Sequence, residues 1–432
     1  MYLYNVGLRL AVFSCRMVWS VKSLQKLLTA SCPKLLKFVM GQKDLLDTIR
    51  CRMEDENREV YWFHAASNGE YNVIRPVVRQ MKSSDRRIVV TFFSPSGYEL
   101  LSEENKFTNE ADDIFYLPLD TPSNVRTFLS FLRPHKAIFA VSEYWINYFS
   151  ELHRLHIPVY IVSMLVGNDS YLLKWYGRPI VKALKAVRTF MVLDEDSKCN
   201  LANLGFMNVI ITGDPLFDNA IKISKEPYHN IIIEKFCAGG NKIFVAGSVS
   251  DKRDLSLVSA LANANRDVKF IVVPHEISEE TLNKIKYCMD GKTLLYSESE
   301  PTTNFDGTQV LVIDFLGALS RIYRYGNWAY VGGGFTPFLH SVIEPVVYGI
   351  PVSFGPRIER KQTPNQMIRL GIGCVVKSKS DTKSWFIKVN DDRHLIAVRR
   401  TTRQYIEKSS NVTDKVRQAI SECNATLDFV RE

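Results

Sequence analysis

A strand-then-helix rhythm, run twice along the chain with a break between, constrains this sequence more than any other feature. Val60 to His64 (VYWFH) is an apolar strand, followed by a loop and an amphipathic helix expected from about Glu70 to Met81. Arg87–Phe93, Ile114–Pro118, Ala137–Val141, Pro158–Ser163 and Thr189–Leu193 are further short apolar runs. Ser94 or Ser96 is suited to cap one intervening helix, and Asp120 to cap another that reaches Leu132. The rhythm restarts at Lys242 with KIFVAGS, KFIVVPHE, QVLVID, WAYVGGG and IPVSFG. Apolar strands alternating with helices imply parallel sheets covered on both faces. At 432 residues the chain exceeds one ordinary core. The expectation is an α/β protein of two Rossmann-like, doubly wound domains facing across a cleft. They span 46–213 and 241–432, joined by a polar linker over 214–240 and preceded by a helical arm over 1–45. The polar tail from 376 is expected to be helical.

Hydrophobic residues at 46% and charged residues at 23% exclude a disordered chain. The cysteines at 15, 32, 51, 199, 237, 288, 374 and 423 form no C-x-x-C pair, which suits free thiols in a reducing compartment better than a disulfide framework or a zinc site. The net charge of +9 is uneven: residues 1–43 hold Arg9, Arg16, Lys22, Lys26, Lys34, Lys37 and Lys43 and no acid. The same arm carries Leu3, Leu10, Phe13, Met17, Trp19 and Leu27, yet its apolar runs fall far short of the ~20 residues that span a bilayer. Arg9 and Arg16 lie two helical turns apart and share a face. A helix lying flat on an anionic membrane fits this pattern. A helix packed on the protein body is the alternative; a nucleic-acid arm has no binding motif to support it.

The string VGGGFTPFLHSVIEPVVYGIPVSFGP, residues 331 to 356, reads as a strand end, three glycines, a helix opening near Phe338 to His340, and a closing strand. Glycines let a backbone approach a ligand, and a helix N-terminus offers free N–H groups to a phosphate. Glu344 lies four residues beyond His340, on the same helical face, where it can accept hydrogen bonds from a ribose diol. The alternative is a simple glycine turn. In HAASNGEYNVIRPVVRQMK, Glu70 stands where strand gives way to helix, the edge at which open α/β sheets bind ligands. The helix dipole is expected to keep it ionised and ready to take a proton from an attacking hydroxyl. Glu143, in VSEYWINY, follows the strand ending at Val141. The alternatives are a first-turn acidic residue for Glu70 and a surface residue for Glu143. His153 and His156 read as surface residues.

The strings FHAASNGE, TFFSPSGYE, YLPLDTPSN, SEYWINY, VPHEI, YVGGGF and HSVIEPVVYGIPVSFGP occur in one order along the chain, with ID-x-x-G-x-L-S-x-x-Y-R-Y between the fifth and sixth. Together they resemble the 3-deoxy-D-manno-octulosonic acid (Kdo) transferases of Gram-negative bacteria over residues 1 to about 375. The resemblance implies a GT-B glycosyltransferase that moves Kdo from CMP-Kdo to a lipid A precursor, inverting and without a cofactor or metal. It implies a peripheral location on the cytoplasmic side of the inner membrane. By the same resemblance Glu70 matches the general base and Glu143 the second essential carboxylate. Gly332, Gly333, Gly334, His340 and Glu344 fall in the nucleotide motif, with His275, Glu276, Gly247 and Ser248 on the donor side. Ser67, Asn68, Gly69, Ser94, Ser96 and Gly97 are assigned to the acceptor.

Several loops depart from the family. Pro215 and Leu216 stand where it has Thr-Arg, which removes a phosphate-binding cation that Arg357, Arg360 or Lys361 would have to replace. Val249-Ser250-Asp251 stands for Thr-Trp-Pro, GNDS at 167–170 for an arginine-containing loop, Ser341 for Asn, and Ile146 for Pro. These changes bear on donor affinity and substrate identity. They leave open a GT-B transferase of other donor or acceptor, and a non-catalytic membrane-bound relative.

Overall fold

The structure, a computed structural model, describes residues 2–103, 110–359 and 361–422. Two compact units divide the chain: residues 1–216 with the segment from Asn411 onward, and Phe217–Ser410. Each is built on a seven-stranded parallel sheet.

In the first unit the strands are β1 (Glu59–Ala65), β2 (Arg86–Phe92), β3 (Asp113–Tyr116), β4 (Lys136–Ala140), β5 (Val159–Met164), β6 (Val187–Val192) and β7 (Val209–Ile211). Their order, β3-β2-β1-β4-β5-β6-β7, reverses direction between β1 and β4. Successive side chains of a strand face opposite layers. Val60 and Trp62 of β1 therefore join one core cluster with Phe128, Phe139 and Tyr148, while Tyr61 and Phe63 join the other with Ile74, Val77 and Val78. Burial on both faces is why these strands read as unbroken apolar runs rather than alternating ones.

In the second unit the strands are β8 (Ile243–Val249), β9 (Lys269–Pro274), β10 (Lys292–Leu295), β11 (Thr308–Val312), β12 (Trp328–Val331), β13 (Val352–Phe354) and β14 (Gly373–Val375). Their order is β10-β11-β9-β8-β12-β13-β14, with the reversal between β8 and β12. The strands β7, β10 and β14 were not among those expected. Each has four residues or fewer and stands at a sheet edge, so none carries a long apolar signal.

Two expectations about boundaries are corrected. Residues 214–240 are no linker: they form helices Leu216–Lys225 and Ile231–Cys237, whose Phe217, Ile232, Ile233 and Phe236 are buried. The second domain ends before the C-terminus, because helix Val412–Ser421 lays Val412, Val416 and Ile420 in the core of the first unit. The arm is three helices, Tyr2–Ser20, Lys22–Ser31 and Pro33–Gly41, and it packs on the first unit. Tyr4 donates to Asp120 at 2.6 Å and the Phe38 ring lies 4.8 Å from that of Phe93, while within the arm Trp19 donates to the Val39 carbonyl at 2.7 Å. Leu10, Phe13, Met17 and Leu27 of the same arm remain exposed. Among the described residues no helix is long and apolar enough to cross a membrane.

Candidate functional site

The reversal between β1 and β4 separates the loops that follow them, so residues just past their carboxyl ends line one crevice. Register pairs His64 with Phe139, which brings the loop after Ala65 beside the loop after Ala140. Glu70 lies in the first turn of helix Asn68–Met81, capped by Ser67, and its carboxylate accepts a 2.6 Å hydrogen bond from the Ala66 N–H. Burial and then the charge of Glu143 push its pKa up to about 7, against the opposing pull of that N–H. The expectation that Glu70 is held ionised is thus modified: desolvation and a like charge outweigh the Ala66 hydrogen bond, so near pH 7 both protonation states are populated.

Glu143 is held by a strained turn. Val141 has φ of 58°, a left-handed conformation unfavourable for a β-branched residue, and such strain persists only where the surroundings impose it. The loop that follows contacts His64, which is buried in β1 and has no assigned role in the sequence analysis. The Trp145 indole N–H donates to His64 Nε2 at 3.1 Å, and His64 Nδ1 lies 3.1 Å from the Thr91 carbonyl. The Nε2 lone pair is therefore occupied. The Glu143 carboxylate, 3.7 Å from that nitrogen, is in contact with it but beyond hydrogen-bond length.

Of the residues assigned to the acceptor, Ser94 joins this loop cluster through its N–H to the Ala66 carbonyl at 2.7 Å, and its hydroxyl meets that of Ser96 at 3.0 Å. Asn68 and Gly69 open the Glu70 helix. Gly97 has a packing role instead, since a Cβ there would lie 2.3 Å from the Phe92 ring. Asp120 does not cap the helix to Leu132. Thr121 does, because Pro122 takes the first helical position, and the buried Asp120 carboxylate instead accepts from the N–H groups of Asn147 and Tyr148. It thereby fixes the start of helix Ile146–Arg154, directly after the Glu143 loop. Burial raises its pKa to about 6.

In the second unit the reversal between β8 and β12 brings Gly247 and Ser248 beside Gly332, with Val331 paired to Gly247. A Cβ on Gly332 would meet the Ser248 carbonyl oxygen at 2.1 Å, and one on Gly334 the Gly355 nitrogen at 2.5 Å. Gly333 has φ of 84°. The turn is braced by Asp254, a fully buried carboxylate that sequence reasoning missed. It accepts from the Gly333 N–H at 2.9 Å, the Tyr330 hydroxyl at 2.5 Å, and the Ser250 N–H and hydroxyl at 3.1 and 2.9 Å. Four donors offset the desolvation of a buried charge. Its only local signal is its place three residues after the helix cap Asp251.

The helix expected to open at Phe338 is corrected. Residues 338–342 are irregular, and the helix is one turn, Ile343–Val346, with Pro345 inside it. One turn sums few peptide dipoles, so the dipole argument for a phosphate weakens there, and His340 and Glu344 do not share a helical face. His340 instead packs its ring 4.3 Å from that of His275, and burial with the neighbouring His275 lowers its pKa to about 4. Glu344 is half-buried, and desolvation of its carboxyl raises its pKa to about 7. Glu276 is exposed. Of the replacement cations, Lys361 stands beside His340 and donates to the Leu339 carbonyl at 3.0 Å. Arg357 is exposed next to the turn, its N–H on the Gly334 carbonyl at 2.8 Å, and Arg360 lies outside the described residues.

Two of the departures have structural roles: Asp251 caps helix Lys252–Ala264, and Ser170 of GNDS caps the turn Tyr171–Leu173. His153 and His156 are exposed. Among the described residues no three His, Cys, Asp or Glu side chains cluster as a metal site. One D-x-D spacing exists, Asp194–Glu195–Asp196, and there Asp194 caps helix Glu195–Asn203 through the Ser197 N–H at 2.8 Å.

Residues 44–219 match the family model described as 3-Deoxy-D-manno-octulosonic-acid transferase (kdotransferase). The chain is 25% identical to a 3-deoxy-D-manno-octulosonic acid transferase of Chlamydophila psittaci over 75% of its length and 76% of the relative's. It is 25% identical to the Aquifex aeolicus enzyme of the same description over 80% of this chain and 92% of that one. The Haemophilus influenzae protein so described is 27% identical over 68% and 70%. Among solved structures, MurG of Acinetobacter baumannii superimposes with a TM-score of 0.56 at 12% identity, over 85% of this chain and all of that one. A UDP-N-acetylglucosamine 2-epimerase described as putative, from Listeria monocytogenes, gives 0.57 at 12% identity over 85% and 98%. These likenesses, with the two parallel sheets, show the GT-B fold. The chain has the GT-B fold and is similar to the 3-deoxy-D-manno-octulosonic acid transferases, with residues 44–219 matching the model of that family.

Proposed function

We propose that this protein transfers Kdo from CMP-Kdo to a hydroxyl of a lipid A precursor, with inversion at the anomeric carbon. The observation that carries the reading is the Glu70–Glu143 pair past the ends of β1 and β4, in the unit that matches the family model. Glu70, with a pKa near 7, accepts the acceptor's hydroxyl proton as the oxygen attacks the anomeric carbon from the face opposite CMP. The carbon–oxygen bond to CMP breaks, and the pair leaves on the phosphate. On the donor side the turn Gly332–Gly334, held by Asp254, would receive that phosphate, with Lys361 and Arg357 as its cations. A single phosphate leaves, so the reading needs no metal to neutralise a diphosphate. Membrane association on the cytoplasmic side belongs to the same proposal, supported by the arm's exposed Leu10, Phe13, Met17 and Leu27 among its lysines and arginines.

The test is a mass-spectrometric assay of purified protein with lipid A precursor and CMP-Kdo, beside Glu70→Gln. Addition of Kdo by the wild type alone supports the reaction and the base. No product with CMP still bound points to another acceptor; no product and no CMP binding overturns the reading.

A further inference from the structure

Past the Glu143 loop, the first unit holds a cavity of about 910 Å³, within the size of ordinary ligand sites and assigned to nothing above. Leu173, Val181 and Leu204 give it an apolar lining, and Ile146, which opens the helix after Trp145, forms the side toward the Glu143 loop. Around it stand Lys174, Arg178, Lys182 and Lys185, all exposed, and no carboxylate lines it. None of the four cations pairs with a carboxylate among the described residues. Trp175 lines it too and is 79% exposed, an apolar body with a polar tip beside two of those cations. The cavity adjoins the candidate site: the Tyr171 ring, one residue before Leu172 of the lining, lies 6.1 Å from that of Tyr144. Burial and the charge of Glu143 together raise the pKa of Tyr171.

An apolar hollow ringed by unpaired cations fits a ligand that is greasy at one end and anionic at the other. We propose that this cavity receives an acyl chain of the glycolipid acceptor, with Lys174, Arg178, Lys182 and Lys185 facing its phosphate. The proposal rests on the acceptor reading above and adds a site to it. The attacking hydroxyl would then be positioned near Glu143 and Glu70 by a chain seated one loop away, so acylation contributes to acceptor affinity through this cavity.

The test measures binding of a tetra-acylated disaccharide bisphosphate and of its fully deacylated form, by tryptophan fluorescence, to wild type, Leu173→Ser, Ala186→Phe and Lys182→Glu/Lys185→Glu. The expected result is that the wild type prefers the acylated form and that each apolar variant cuts this preference at least about tenfold. The charge reversal weakens both forms together and flattens their salt dependence. A preference unchanged in both apolar variants overturns the site while leaving the acceptor reading standing. Failure of the wild type to bind either form overturns both. Loss of binding to phosphatidylglycerol vesicles in the apolar variants, with acceptor binding intact, assigns the cavity to a bilayer lipid and overturns the proposal as stated.

Discussion

At the residue scale the protein turns on carboxylates whose surroundings oppose their charge. Glu70 sits near pH 7 because burial and Glu143 both disfavour its ionised form. As a base it must be deprotonated, so kcat/KM is expected to rise with pH up to about 7 and level off above. Replacing Glu143 with Gln removes one of the two causes, and the inflection should move to lower pH. A profile that is flat from pH 5.5 to 8.5 would falsify the base assignment. Glu70→Gln is expected to lose on the order of 10²- to 10⁴-fold in rate. Glu344 gives a stability prediction with a definite sign. Its folded pKa is raised, so its neutral form is favoured below the unfolded value of 4.5 and its cost appears as pH climbs from 4.5 to about 7. Glu344→Gln should therefore be more stable than wild type at pH 8, by about 1 to 2 kcal/mol, and equal to it at pH 4. Urea unfolding at the two pH values decides this, and equal stability at pH 8 removes the desolvation argument. Neither shift was legible in the sequence, because burial and the approach of Glu143, 73 positions further on, are products of folding.

Elements explain why the glycines stand where they do. The run Gly332–Gly334 was legible as a turn, but its necessity comes from neighbours distant in sequence: the Ser248 carbonyl, Gly355 and Asp254. Gly332→Ala places a methyl against the Ser248 carbonyl, and strand β8 or the turn must move. A loss of about 1 to 3 kcal/mol is expected in denaturant unfolding, with weaker CMP binding in titration calorimetry. Caps show the same division. Thr121 and Asp251 act locally, each capping the helix that begins at the next residue. Asp120 looked like a local cap and instead serves helix Ile146–Arg154 and Tyr4 of the arm. Asp120→Asn should cost about 1 to 3 kcal/mol, since Asn presents one acceptor oxygen where the carboxylate serves three donors with two.

For the whole molecule, two units mean that unfolding need not be a single transition. CMP is expected to raise the melting of the Phe217–Ser410 unit selectively, by about 2.7 kcal/mol at a hundred times its dissociation constant. Calorimetry with and without CMP reads this, and a shift confined to the other transition places the nucleotide elsewhere. Truncation after Ser410 removes Val412, Val416 and Ile420 from the first unit's core. That unit should lose roughly 4.5 to 9 kcal/mol, at about 1.5 to 3 for each buried apolar side chain. An unchanged melting point would mean that the C-terminal helix merely rests there.

What the sequence determined by itself was periodic or local. Apolar runs of strand length separated by helical ones dictated two parallel α/β sheets, and strand-to-helix junctions marked Glu70 and the glycine turn. The tertiary structure alone decided what depends on contacts between distant positions. It assigned residues 411–422 to the first unit and bound 217–240 into the second. It set the protonation of Glu70, and it fixed His64 and Asp254 as the residues bracing the two turns. Local pattern reports what a segment buries, but the polar partner of a buried charge is chosen by the fold that carries it there.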